Sequence, residues 1–421
     1  MLKEPTRRDY FNLTVFYVAP TFFWAIVLLV VLQKRIESFV PASDLTRALS
    51  ILVNAGGIVS VVVQIIIGAV SDRHRGKHGR RRPFIVIGTF LSLPAIWLFA
   101  LAGNFVMLVV SFMLLQLFLN VAHAPYQALV PDTIPPERHG IASGYMGLWQ
   151  LVGQAGGLAV GALLFSGVFG KNGMMYLFGF FTLLFVSLMT LTVTRVSEEP
   201  YEGERVPKRQ AMLNIFKTDL KGNPSFVWVL ISRFLINLGF YTALLYLAWY
   251  LEFALGIDKD LSKQYTFVLA LVVTGTGLIA TLPAGRMSDT FSKKAVIYGC
   301  CSLCIVSAVL FCLAGGMTWA VIAAAVFGLG FGAFAAVDWA LACNVLPEGD
   351  AGKFLGIWSV SFVFPQMAAA VIGDLVISLF GKKLGLGGAY RAVFASIIPL
   401  MVLGTLAVSQ IREKPVRQAS D

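Results

Sequence analysis

Two ionisable residues of opposite charge lie inside long apolar stretches of this sequence. Arg233 lies within the stretch 223–252 and Asp338 within 317–346, and each stretch is long enough to cross a bilayer as a helix. At 1.5 Å of rise per residue, both lie roughly 12–15 Å from the same membrane surface. A charge at that depth is costly, so we expect the two side chains to pair in at least one conformation, with Asp338 able to bind a proton or ligand hydroxyls. The alternative is a permanent ion pair that fixes helix register.

A polar stripe runs along the apolar stretch 105–130, at Gln116, Asn120, His123 and Gln127. The spacings of four, three and four residues place all of these side chains on one face of a helix. Amides both donate and accept hydrogen bonds, as sugar hydroxyls require, so the stripe predicts a substrate contact. His123 can titrate near neutral pH and is therefore a second candidate for proton coupling, with a fixed hydrogen-bonding role as the alternative.

Further candidates for substrate contact are amide and aromatic side chains in the other apolar stretches. Amides can bind hydroxyls, and the apolar C–H face of a sugar ring can stack on an aromatic side chain. The aromatic residues can equally serve in helix packing. These further candidates are Tyr17, Asn54, Gln150, Gln154, Asn237, Trp339, Trp358 and Gln366.

The elements that must position these residues are membrane helices. The chain has 421 residues, of which 57% are hydrophobic and only 13% are charged, more apolar surface than a soluble domain could bury. We therefore predict an all-α polytopic membrane protein with twelve transmembrane helices, without a cleavable signal peptide. The predicted spans are 10–32, 45–70, 83–102, 105–130, 140–166, 173–195, 223–252, 262–283, 294–314, 317–346, 354–380 and 390–411.

Most lysines and arginines fall in alternate connections between the predicted spans. The positive-inside rule then places both termini in the cytoplasm. We expect the protein to lie in the inner membrane. The net charge of +11 reflects basic loops that face the anionic lipid bilayer, and no nucleic-acid partner is expected. The five cysteines lie in apolar stretches, which predicts packing roles and no metal site.

Two short loops share the pattern Gly-x-x-x-Asp followed by basic residues, each between two apolar stretches. The weaker copy contains Asp289 and keeps only Lys293 and Lys294 nearby. A basic loop of this kind can simply fix the topology of the chain. The charged residues of the stronger copy that could act as a gate are Asp72, Arg73, Arg80, Arg81 and Arg82.

The loops belong to a longer internal repeat. A near-constant offset that relates Asp72 to Asp289 also relates Gly140 to Gly352 and Gln154 to Gln366. The repeat predicts two six-helix bundles, of which the first covers residues 1–195 and the second 223–421, joined by a cytoplasmic linker at 196–222. Two such repeats are typical of major facilitator transporters, whose substrate site lies near mid-membrane.

The stronger loop resembles that of the plant sucrose transporters and their animal and bacterial relatives. These belong to the glycoside–pentoside–hexuronide branch of the major facilitator superfamily, and the shared residues are Asp72-Arg73 and the motif Gly-Arg-Arg-Arg-Pro-Phe-Ile that begins at Gly79. The resemblance implies proton-coupled uptake of a disaccharide or related glycoside, with both acidic loops acting as inner gates. The chain departs from the family at Gln116, which takes the place of a membrane aspartate and cannot titrate.

These observations lead to a proton-coupled sugar importer as the first hypothesis, working as a monomer by alternating access. No cofactor other than a proton gradient is expected. A uniporter, or an exporter of an amphipathic small molecule, is the second hypothesis, and the glutamine at Gln116 favours it. A membrane assembly factor would not need the polar stripe or the charge pair. An enzyme is not expected, because the sequence has no nucleotide-binding loop and no nucleophile paired with a base.

Overall fold

The computed structural model describes residues 4–41, 45–76, 78–165, 172–198, 220–347 and 350–412, and these contain helices and no strand. The predicted all-α class is therefore confirmed. Among the described residues, nine helical stretches are long and apolar enough to cross a membrane. The last of them, Ala351–Ser409, is 59 residues long and covers two of the predicted spans. The chain is thus a multi-pass membrane protein.

The first half of the chain forms eight α-helices. Between α1 and α2 lies a 3-10 turn, and between α2 and α3 a π-helical turn, so the first predicted span is a run of short helices rather than one regular helix. The helices are α1 (Arg7–Thr14), α2 (Val18–Ile26), α3 (Leu32–Glu37), α4 (Leu45–Asp72), α5 (Arg82–Ala100), α6 (Phe105–Thr133), α7 (His139–Phe165) and α8 (Gly173–Arg195).

The second half forms seven more helices. The predicted span 354–380 is divided between α13 and α14, and α14 itself is two helices that meet at Gly385, whose φ of 68° places it in the left-handed region that favours glycine. The helices are α9 (Pro224–Trp249), α10 (Lys259–Thr290), α11 (Lys293–Leu313), α12 (Met317–Val345), α13 (Ala351–Trp358), α14 (Val360–Ala395) and α15 (Ile397–Ser409).

Polar residues mark where several helices begin. The Asn104 side chain accepts a hydrogen bond from the Met107 N–H at the start of α6, and the Asp258 side chain does the same for the first turn of α10. These caps satisfy backbone donors that have no partner inside the helix. Pro83 and Pro224 occupy the first turns of α5 and α9, where the missing N–H costs nothing.

The chain folds into two compact units. The first unit contains Met1–Pro136, Trp149–Thr218 and Leu346–Ser359, and the second contains Glu137–Leu148, Asp219–Val345 and Val360–Asp421. Each unit thus includes a short segment from the other half of the sequence. Residues 199–219 of the predicted linker lie outside the described residues, and the division into bundles 1–195 and 223–421 stays a prediction.

In the first unit, glycines bring α13 close to α4. A Cβ atom added at Gly68 would lie 2.2 Å from the Gly352 carbonyl oxygen, and one added at Gly356 would lie 2.6 Å from the Gln64 carbonyl oxygen. No side chain fits at these distances. The glycines therefore allow the backbones of α4 and α13 to touch.

Replacing Gly68 with Ala is expected to lower the melting temperature of the purified protein by several degrees. The added methyl group forces α13 away from α4, and overpacking of this kind costs about 1–3 kcal/mol. Thermal unfolding in detergent measures the effect. Gly299→Ala is the matched control, because a Cβ atom at this helical glycine meets nothing within 4 Å. Equal melting temperatures for the two variants would contradict the close approach.

Candidate functional site

The second unit contains a buried ion pair. Arg233 on α9 contacts Asp338 on α12 through its Nη1 atom and the carboxylate Oδ2, and their side chains are 9% and 1% exposed. The other carboxylate oxygen, Oδ1, is buried and has no hydrogen-bond partner among the described residues. A buried carboxylate oxygen without a donor is costly, so it can accept a proton or a ligand hydroxyl.

The surroundings of the pair come from α14. The Phe362 ring lies 5.9 Å from the Arg233 guanidinium carbon, which is within the range of a cation–π contact. Asn237, one turn after Arg233, donates from Nδ2 to the Ser361 carbonyl oxygen at 3.2 Å. The sequence predicted that Asn237 contacts substrate, but one of its amide donors is occupied by this hydrogen bond to α14.

Gln366 extends this group of polar residues. Its Nε2 donates to the Tyr241 hydroxyl at 2.9 Å, and both side chains are half-buried. Tyr241 was missed from the sequence. It follows Asn237 by four positions and Arg233 by eight, so the helical spacing alone would have placed it on the same face of α9.

In the first unit, Asn120 is used for helix packing. Its Oδ1 accepts hydrogen bonds from the Ser60 hydroxyl at 3.0 Å and from Gln64 Nε2 at 2.8 Å, and its Nδ2 donates to the Gln116 carbonyl oxygen at 2.6 Å. Ser359, just after α13, donates to the Gln64 Oε1. This buried network ties α6 to α4 and to the end of α13, and Asn120 has little left to offer a substrate.

Gln116 is buried against α4. A Cβ atom added at Gly56 would lie 2.9 Å from the Gln116 Nε2 and 2.7 Å from a ring carbon of Phe112. The Gln116 amide therefore packs over a glycine, and the residue is 8% exposed.

The remaining two residues of the stripe lie together with Tyr17. The His123 ring stacks on the Tyr17 ring with centroids 5.4 Å apart, and Gln127 Nε2 lies 3.3 Å from His123 Nε2. Gln127 is 3% exposed, and its Oε1 has no hydrogen-bond partner within the described part of the chain. These three side chains form a second polar group with a spare acceptor for a hydroxyl.

The other predicted contact residues are more dispersed. Asn54, Gln150 and Gln154 are half-buried and form no side-chain hydrogen bond to either polar group within the described residues. Trp358 on α13 and Trp339 on α12 are each 5% exposed. The Trp339 indole nitrogen is buried and has no hydrogen-bond partner among the described residues.

Asp72, at the end of α4, is fully buried and caps another helix. Its carboxylate accepts hydrogen bonds from the backbone N–H groups of Gly352 at 2.8 Å and Lys353 at 2.9 Å, in the first turn of α13. The Arg81 Nη2 donates to the same carboxylate at 2.6 Å. A carboxylate at a helix N-terminus satisfies free donors and matches the helix dipole.

Arg81 organises the loop that follows Asp72. Its Nε donates to the Asp132 Oδ2 at 2.8 Å and its Nη1 to the Ser71 hydroxyl at 2.6 Å. Burial would lower the pKa of Arg81, but the charges of Asp132 and Asp72 outweigh it and raise that pKa. The guanidinium therefore stays charged. Arg80 also contacts Asp132.

Two further contacts hold the loop. Arg73 pairs with Asp350 at 3.2 Å. The backbone N–H groups of Arg81 and Arg82, at the start of α5, donate to the Glu198 carboxylate at 2.7 and 3.0 Å. Burial raises the pKa of Glu198, although these N–H groups and the nearby arginine charges act against it. Glu198 was missed from the sequence, because nothing local relates the end of α8 to this loop.

Asp289 does in the second unit what Asp72 does in the first. Its two carboxylate oxygens accept from the backbone N–H groups of Gly140 at 2.7 Å and Ile141 at 2.8 Å, in the first turn of α7. A Cβ atom at Gly140 would lie 2.4 Å from the Gly285 carbonyl oxygen, so the backbones touch here as well. The repeated loops thus form the same kind of contact twice.

Long apolar helices with buried polar groups and helix-capping loops define a polytopic membrane protein. Residues 11–357 and 262–420 match the Major Facilitator Superfamily, and the chain belongs to that family. The membership predicted from the loop and the repeat is confirmed, and the family consists of transporters rather than enzymes.

Several known proteins are similar to this chain. The raffinose carrier protein of Pediococcus pentosaceus is 24% identical over 295 residues, which cover 64% of this chain and 44% of the relative. Sucrose transport protein SUC3 of Arabidopsis thaliana is 29% identical over 129 residues, which cover 25% of this chain and 22% of the relative. The matches therefore span less than half the length of these curated relatives.

A solved structure supports the fold. The proton:xylose symporter XylE superposes with a TM-score of 0.72, covering 97% of each chain at 15% sequence identity. At that identity the similarity establishes the fold alone.

Proposed function

We propose that this protein is a secondary active transporter that imports a disaccharide or related glycoside together with protons, by alternating access. The observation that carries the proposal is the Arg233–Asp338 pair, with one buried carboxylate oxygen that no described residue satisfies. A pair that served only to fix helix register would gain stability by satisfying both oxygens.

The chemistry follows from the charge of Asp338. While the carboxylate is ionised, it holds the Arg233 guanidinium. When Asp338 takes a proton, the Coulomb attraction is lost and Arg233 can donate to a substrate hydroxyl instead. Binding of a proton and binding of a sugar then favour the same state, which is the requirement for coupling.

The second polar group supplies further sugar contacts. The Gln127 Oε1 accepts a hydrogen bond from a sugar hydroxyl. The His123 ring can bind a proton or form a hydrogen bond, and the Tyr17 ring offers an apolar face to the sugar. Sugar substrates are also supported by two of the similar proteins, a raffinose carrier and a sucrose transport protein. We place both termini and both acidic loops on the cytoplasmic side.

The test is sugar uptake into proteoliposomes under an inward proton gradient, with and without an uncoupler. The panel contains sucrose, raffinose, maltose, trehalose, glucose and a β-glucoside. We expect at least one of these sugars to accumulate above its external concentration and to leak out when the uncoupler is added. Failure of every sugar to move would overturn the proposal.

A uniporter is the second candidate, and Gln116 is the observation that favours it. The residue at the family's acidic position cannot titrate and is packed against Gly56. If the protein is a uniporter, one sugar equilibrates across the membrane, a proton gradient does not raise its internal concentration above the external one, and the uncoupler has no effect.

A further inference from the structure

The start of α1 and the end of α8 enclose an open cavity in the first unit. Its volume is about 410 Å³. The Thr192 hydroxyl donates to the Asn12 carbonyl oxygen at 2.9 Å, so the two helices are tied together beside the cavity. The cavity is lined by Arg7, Arg8, Phe11, Asn12, Leu191 and Arg195.

The cavity is lined by arginines at the helix ends and by apolar side chains one turn further along each helix. Arg7 begins α1, and Phe11 lies one turn further along it. Arg195 ends α8, which is one of the spans, and Leu191 lies one turn before it. Each helix therefore carries an arginine at its end and an apolar residue one turn nearer its middle. Phe11 is 39% exposed.

Three arginines carry the charge of this cavity. Among the described residues, no carboxylate lines the cavity and none of its three arginines forms an ion pair. The nearby Asp9 carboxylate accepts from the Thr6 N–H at 2.8 Å and from the Thr6 hydroxyl at 2.7 Å. Arginines in the first turn of a helix are also disfavoured by the helix dipole. Arg7, Arg8 and Arg195 are exposed, so their guanidinium groups are open to an anionic ligand.

We propose that this cavity binds the phosphate of an anionic phospholipid from the adjoining leaflet, with an acyl chain along Phe11 and Leu191. Guanidinium groups recognise phosphate through paired hydrogen bonds, and basic pockets between membrane helices suit lipid headgroups. The same arginines would attract a free phosphate. The lipid is favoured because apolar side chains continue from the arginines toward the bilayer on both helices.

The experiment compares two double variants that lose the same charge. Arg7→Gln/Arg8→Gln removes two arginines of the cavity, and Lys382→Gln/Lys383→Gln removes an exposed adjacent pair elsewhere in the chain. Native mass spectrometry of the purified full chain measures binding of phosphatidylglycerol and, as the zwitterionic reference, phosphatidylcholine. We expect the arginine double variant to lose about 30-fold in phosphatidylglycerol affinity, roughly fivefold for each arginine, and the lysine double variant to match wild type.

The source of the phosphate is tested with two further measurements. Phe11→Ala is expected to weaken phosphatidylglycerol binding while leaving binding of soluble glycerol 3-phosphate unchanged. Arg195→Gln should reduce binding of both, and it tests the site from α8 if the α1 variants fail to fold. Equal losses in the two double variants, or equal wild-type affinity for the two phospholipids, would overturn the proposal. Glycerol 3-phosphate binding as tightly as the phospholipid would overturn its assignment to lipid.

Discussion

Asp338→Asn abolishes uphill accumulation of the sugar, while exchange of labelled for unlabelled sugar across the proteoliposome membrane stays measurable. This is the expected result because asparagine keeps the size and a carbonyl acceptor of aspartate but cannot take up a proton. Without a titrating group the inward proton gradient cannot drive the sugar, and the ratio of internal to external sugar falls to about one.

The variant also leaves the Arg233 guanidinium without its counter-charge. An unpaired buried charge can cost about 3–5 kcal/mol, so the folded fraction of each preparation is measured by thermal unfolding. The double variant Arg233→Gln/Asp338→Asn removes both charges and separates this stability loss from the coupling loss.

Asp374→Asn is the matched control for coupling. Asp374 lies on α14 in the same unit, is exposed, and accepts from the Tyr246 hydroxyl at 2.9 Å, so the change is chemically identical but spares the buried pair. Accumulation by this variant should equal that of wild type. If instead Asp338→Asn accumulates sugar at the wild-type level, Asp338 is not the coupling residue.

Asp72→Asn is expected to slow transport by roughly tenfold or more, while the apparent affinity for the sugar changes by less than about twofold. The carboxylate accepts two backbone N–H groups of α13 and the Arg81 guanidinium, and hydrogen bonds to a charged group contribute about 1.5–3 kcal/mol each. Losing them shifts the balance between conformations that a transport cycle must visit. Initial rates of uptake over a range of sugar concentrations measure both quantities.

Substitutions of two other aspartates serve as comparisons for Asp72→Asn. Asp289→Asn removes the corresponding cap on α7 and should also slow transport. Asp350→Asn removes only a partly exposed pair with Arg73, which is expected to have little effect because such pairs contribute about 0–1 kcal/mol. A large loss of affinity with normal turnover in Asp72→Asn would contradict the gating role.

The two aspartates that cap helices show how far local sequence patterns reach. The repeated Gly-x-x-x-Asp pattern identifies Asp72 and Asp289, because the whole motif lies within a few consecutive residues. Their hydrogen-bond partners, Gly352 and Gly140, can be recognised in the sequence only as equivalent positions of the internal repeat. Which of the two helix N-termini each carboxylate caps depends on which helices pack together, and no local sequence pattern specifies that packing.

The polar stripe on α6 makes the same distinction. Helical spacing correctly places Gln116, Asn120, His123 and Gln127 on one side of α6. It could not distinguish residues facing α4, such as Asn120, from residues lying beside Tyr17, such as His123. The stripe is wide enough to contact two different neighbours, and only the packed structure separates a structural network from a candidate sugar contact.

The sequence by itself determined that this chain is an all-helical membrane protein of the Major Facilitator Superfamily, and it singled out Arg233, Asp338 and the two acidic loops. It could do so because bilayer thickness fixes the length of an apolar span and a buried charge is costly wherever it occurs. Tertiary structure alone decided that one Asp338 oxygen lacks a donor among the described residues, that Glu198 holds the start of α5, and that three arginines line one cavity. Those facts depend on contacts between residues far apart in the chain, where packing rather than periodicity selects the partner.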